Sequence, residues 1–114
     1  MSDTADLAPE DQKLVTLARA SRARNSSPEG AAVRDETGRT YVATTVVLPS
    51  LRLSALQAAV AAAVSSAAES LEAVAVVTQA GELTEADATV ASEMKAAVVV
   101  LAAPDGTPTT VLKP

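Results

Sequence analysis

The sequence predicts an α/β fold: a mixed sheet of about five strands, with helices on both faces, in three α/β/α layers. Three observations predict it. Segments with helix punctuation alternate with short β-branched or wholly apolar runs. The 114 residues suffice for one compact domain and are too few for two. The apolar residues, 48% of the chain, are almost all Ala, Val and Leu, with Tyr41 the one aromatic. A core of such small side chains requires close approach of helices and strands, because no large ring fills the gaps.

Residues 1–7 read as a loose polar lead, which leaves 8–114 as the domain. The first helix is expected from Pro9 to about Ala23. Pro9 suits a first turn, Glu10 and Asp11 suit the positive helix end, and Asn25 to Pro28 stop it. Leu14, Leu17, Ala18 and Ser21 share one face. Gly30 to Val33 is a short apolar strand. Asp35-Glu36-Thr37-Gly38 is a turn, expected as a solvated hairpin tip, and Arg39 to Leu48 is a β-branched strand.

Pro49 and Ser50 break that run. Ser54 caps a second helix, expected to Ala68 and apolar on every side. Leu71 to Thr78 is a buried central strand. Gly81 turns the chain into a third helix, from Leu83-Thr84 to about Lys95. Val98 to Leu101 is the next buried strand, Pro104-Asp105-Gly106 a turn, and Thr109 to Leu112 a short edge strand.

Net charge is −5, which argues against a nucleic-acid partner. Arg19, Arg22 and Arg24 cluster at a helix C-terminus, where they offset the dipole. The most apolar stretch, Leu53 to Ala68, is too short to span a bilayer and holds Gln57 and two serines, so no membrane association is expected. The opening MSDTADLAPE is polar and acidic, and a cytoplasmic location is expected.

The chain has no Cys and no His. Thiolate nucleophiles, disulfides, His bases, Ser-His-Asp triads and the usual zinc ligands are therefore excluded within it. Carboxylates, Lys, Arg, hydroxyls and Tyr41 remain. Glu82, Glu85 and Asp87 are close in sequence, but at a helix start they read as dipole complements, and no loop has calcium spacing. The glycines stand singly, so no phosphate cradle is expected. Tyr41 reads as a packing residue.

Several strings in order resemble the small, tetrameric-type cytidine deaminases. Gly30-Ala-Ala-Val, with its turn and Tyr41, is similar to that family's first hairpin. Leu71-Glu-Ala-Val-Ala-Val-Val is similar to its central strand, and VVVLAAPDG, ending at Gly106, to its late strand. The likeness covers about residues 10–106. It implies a cytidine-deaminase-like three-layer fold with a zinc site. The family's second helix opens on Cys-Ala-Glu followed by Arg, and its third on Pro-Cys-x-x-Cys. Here Ser54 stands for the first zinc ligand, Leu56 for the proton-shuttling Glu and Gln57 for the Arg. Glu85 and Ala88 align with the two later cysteines. The ribose-holding Asn-x-Glu is replaced by Thr45 and Val47, flanking Val46.

A zinc deaminase needs a metal-activated water and a Glu to move protons. A serine hydroxyl stays protonated, and a leucine transfers no proton. The resemblance therefore implies a member without metal, cofactor or catalytic residues: a pseudoenzyme acting as an assembly or interaction module. An alternative is a nucleoside-like small-molecule binder using a remodelled pocket near Thr45, Val47, Ser54, Leu56 and Glu85. A carboxylate-based enzyme is a third reading. Leu56 is expected to be buried. The all-apolar second helix and the family's tetramers both lead to an expected homo-oligomer, a dimer or tetramer.

Overall fold

The computed structural model describes residues 7–114. Residues 1–6, which carry most of the expected loose lead, lie outside the described residues. Leu7 was counted with that lead but is buried in the core, and its carbonyl oxygen accepts a hydrogen bond from Gln12 Nε2 at 2.8 Å.

Helix α1 (Pro9–Arg24) begins at the proline, with Glu10 and Asp11 in its first turn and Arg22 and Arg24 in its last. Strands β1 (Gly30–Asp35) and β2 (Thr40–Thr44) form the first hairpin. A short antiparallel pair follows, β3 (Val46–Leu48) and β4 (Leu51–Leu53), outside the main sheet. Then come α2 (Ala55–Ser65), β5 (Leu71–Val77), α3 (Glu85–Glu93), β6 (Val99–Ala102) and β7 (Pro108–Leu112).

The main sheet has the order β2-β1-β5-β6-β7. Only β5 and β6 run parallel, joined across α3; the other pairs are antiparallel. The mixed five-stranded sheet is as expected. One apolar cluster lies on the α1 side: Leu14, Val15 and Ala18 against Ala32, Ala73, Ala75, Val77 and Val100. The other lies under α2 and α3: Leu56, Ala59, Val60, Ala63 and Ala91 against Ala31, Val33, Val74, Val76 and Leu101. Alternate residues of β1 and β5 thus feed opposite layers, as a strand buried on both faces must. Close approach is literal at Gly30, where an added Cβ would run into the Ala18 carbonyl oxygen of α1.

Two expectations are corrected. The strand expected from Arg39 to Leu48 breaks at Thr45. The last β2 pair is Thr44 with Gly30, where β1 begins, so the chain beyond it has no ladder partner and turns away. The second helix stops at Ser65 rather than Ala68, because Ala67 adopts a left-handed φ of 74°. The outer side of that apolar helix is bare: Ala61, Ala62 and Val64 are exposed.

The hairpin tip also differs from expectation. Asp35 is 2% exposed and organises the β1–β2 turn. Its Oδ1 accepts from the Thr37 hydroxyl at 2.7 Å and from the Thr37 and Arg39 amides at 2.9 and 3.1 Å. Its Oδ2 accepts from the Tyr41 hydroxyl at 2.9 Å. The Thr37 hydroxyl bond, with those from Tyr41 and the two amides, outweighs desolvation and holds the carboxyl at about 2. Tyr41 packs against the core as expected and ties the turn as well.

Arg34 fastens the start of α1 to the sheet. It donates to Asp11 Oδ1 at 2.9 Å, to Glu72 Oε1 at 2.7 Å and to the Glu10 carbonyl oxygen at 3.2 Å. Burial opposes its charge, but the bonds to Glu72 and Asp11 prevail and raise its pKa.

Candidate functional site

The site is built where the N-termini of α2 and α3 meet on one side of the sheet. Ser54 caps α2. Its Oγ accepts from the Gln57 amide at 3.0 Å, while Gln57 Oε1 accepts from the Ser54 amide at 2.9 Å, a reciprocal capping box. Thr84 caps α3, its Oγ1 accepting from the Asp87 amide at 3.1 Å. Asp87 is 1% exposed, and its Oδ1 accepts the Ser54 hydroxyl proton at 2.6 Å. One short bond to a carboxylate therefore ties the two helix starts together. Both positive helix ends favour the negative charge there.

Asp87 is the residue at this site that sequence reasoning misses, because at a helix start it reads only as a dipole complement. The residue meeting Ser54 is neither Glu85 nor Ala88. Glu85 is exposed and lines an open groove of about 460 Å³ with Gln57, Ala86, Thr89, Val90 and Glu93. Thr84 and Asp87 keep the two-residue spacing of the motif implied by the resemblance, one position earlier than the register given above. The Thr-x-x-Asp string signals a helix start, but nothing local in it tells whether the carboxylate turns back to its own cap or across to another helix.

The remaining predicted residues are dispersed. Leu56 is fully buried in the cluster under α2, as expected. Thr45 is half-buried at the break between β2 and β3. Its amide donates to Ser27 Oγ at 3.3 Å, and its Oγ1 is shielded from solvent with no partner among the described residues. Val47 lies on the β3–β4 hairpin, 66% exposed. Ser54 and Leu56 thus share one helical turn, while Val47 and Glu85 face solvent.

These residues do not fit the zinc ion that the resemblance implies. A catalytic zinc takes three ligands from thiolates, imidazoles and carboxylates and leaves one position open. Here a single carboxylate is present, with one oxygen engaged by Ser54. The serine and threonine hydroxyls are both used as caps. Among the described residues no three Asp or Glu side chains gather into a metal-sized cluster. Leu56, which the resemblance sets in place of the proton-carrying Glu, is a fully buried aliphatic side chain and transfers no proton.

Comparisons with known proteins agree on the architecture. A family model described as cytidine deaminase-like matches residues 7–106. No curated protein matches the chain. Among solved structures, a cytidine deaminase from Burkholderia pseudomallei is similar, with a TM-score of 0.75 and 23% identity over 89% of this chain and 90% of that one. A cytidine deaminase from Mycobacterium leprae has a TM-score of 0.66 and 22% identity, with the same coverage of each chain.

Proposed function

The chain belongs to the cytidine deaminase-like family, and we propose that within it this protein is a pseudoenzyme that serves as an assembly or interaction module. The observation carrying this reading is the 2.6 Å bond from Ser54 to buried Asp87 beside fully buried Leu56. Ser54 and Leu56 are the residues that the resemblance sets in place of a metal ligand and the proton carrier, and a hydroxyl bonded to a carboxylate and an aliphatic side chain support the loss of both roles. The module acts as a homo-oligomer, a dimer or tetramer. The bare outer side of α2, with Ala61, Ala62 and Val64 in solvent, supports that part of the reading. The two solved structures named above are cytidine deaminases, and at 23% and 22% identity their likeness to this chain shows the fold alone. No helix among the described residues is long and apolar enough to cross a membrane, and a cytoplasmic location completes the reading.

Elemental analysis of dialysed protein tests the proposal. Zinc far below one ion per chain is expected. Zinc near one per chain, lost on Asp87→Ala, would sink it.

One observation favours a second reading, a nucleoside-like ligand in the remodelled pocket: the shielded, unpartnered Thr45 hydroxyl. A bound polar group would satisfy it. Calorimetric titration with cytidine decides this. Saturable binding abolished by Thr45→Val supports the ligand reading, and no heat of binding removes it.

A further inference from the structure

The β3–β4 hairpin is an arm that only its β4 side brings near α2. Each strand has three residues, and among the described residues no third strand joins them. Such a ribbon is marginal alone in water. Its two-residue turn, Pro49-Ser50, lacks the left-handed conformation that suits tight hairpins: proline fixes a negative φ, and Ser50 is not among the residues with positive φ. Val47, Leu48 and Leu51 at the outer end are about half exposed or more, whereas Val46 and Leu53 at the base are partly covered.

Register pairs Val47 with Arg52, so one face of the arm presents an apolar side chain beside a cation. Arg52 is exposed and makes no ion pair among the described residues. The groove on α3 has the matching chemistry. Ala86 and Val90 supply apolar surface, while Glu85 and Glu93, two turns apart, supply negative charge.

We propose that the arm docks on a second copy of this chain, with Val47 against Ala86 and Val90 and Arg52 between Glu85 and Glu93. A two-fold axis makes the exchange reciprocal, so each copy both gives an arm and receives one. Charge complementarity argues for this occupant: a cation with no ion pair among the described residues, beside an exposed valine, meets a groove that carries Glu85 and Glu93 with Ala86 and Val90. The inference rests on the assembly reading above and supplies its contact.

Gel filtration with light scattering tests it, on the wild type and on Arg52→Glu, Glu85→Arg/Glu93→Arg and the triple variant. All these positions are solvent-exposed, and thermal midpoints confirm folding. The wild type is expected at a multiple of 11.5 kDa, with association weakening as salt rises. Either reversal alone is expected to raise the dissociation constant at least about tenfold, and the triple variant to restore association. A multimer unmoved by Arg52→Glu would overturn the docking while leaving assembly intact. A wild type holding at 11.5 kDa at high concentration would overturn both.

Discussion

Ser54 and Asp87, 33 residues apart, share a 2.6 Å hydrogen bond that joins the starting ends of α2 and α3. The serine hydroxyl donates to the carboxylate while also accepting from the Gln57 amide, so the α2 cap is tied to the first turn of α3, which Thr84 caps. Removing the carboxylate leaves that hydroxyl without its acceptor. Asp87→Ala is expected to destabilise the fold by about 2 kcal/mol, read from urea unfolding, with Ser54→Ala costing a similar amount. The double variant should cost less than the sum of the two, because they share one bond. Strict additivity would mean the bond contributes nothing.

Leu56 sets the second test. It is fully buried under α2 with Ala59, Val60 and Val76. Leu56→Glu places a carboxylate among aliphatic groups and is expected to cost about 3 kcal/mol. An unchanged thermal midpoint would mean that the position opens to water.

The backbone gives a pair of opposite effects. Gly30→Ala drives a methyl into the Ala18 carbonyl oxygen and is expected to cost about 3 kcal/mol. Ala67 ends α2 with φ at 74°, a conformation that disfavours a side chain. Ala67→Gly is expected to raise stability by about 1 kcal/mol. The same sign for both substitutions in urea unfolding would contradict the close α1–β1 approach or the strain at the cap.

Asp35 makes stability depend on acid. Its carboxyl is at about 2 in the fold against an ordinary 3.8, mainly through the Thr37 hydroxyl. A folded value below the unfolded one means that the group's contribution is complete above 3.8 and fades as pH falls toward and through 2. Wild type is therefore expected to lose its advantage over Asp35→Asn across that window. Urea midpoints of the two proteins running parallel from pH 5 to pH 2 would refute the assignment.

Much of the fold is legible from local pattern. Pro9 with its acidic neighbours, the turn around Gly38, and the apolar runs from Leu71 and Val98 each mark an element whose signal lies within a few residues. What was not legible depends on distant partners. The strand beginning near Thr40 looks continuous to Leu48, yet it leaves the sheet after Thr44 because β1 has no residue left to pair with. Asp35 looks like a solvated turn residue until Tyr41 and Thr37 close over it. At the candidate site, Ser54 and Leu56 were found through the resemblance. Asp87 is not legible there because its role is a contact between two helices, which helix-start chemistry alone does not reveal. Thr45 and Val47 were grouped with them by alignment, but the departing arm carries Val47 into solvent.

A member of this family that has lost the deamination reaction leaves cytidine intact, and a turnover assay reads this without intermediaries. The assay follows loss of the cytidine ultraviolet band with purified protein and added zinc. The expected rate equals that of buffer with the metal alone, for wild type and Asp87→Ala alike. Steady turnover that stays with the protein through purification and falls on Asp87→Ala would contradict it.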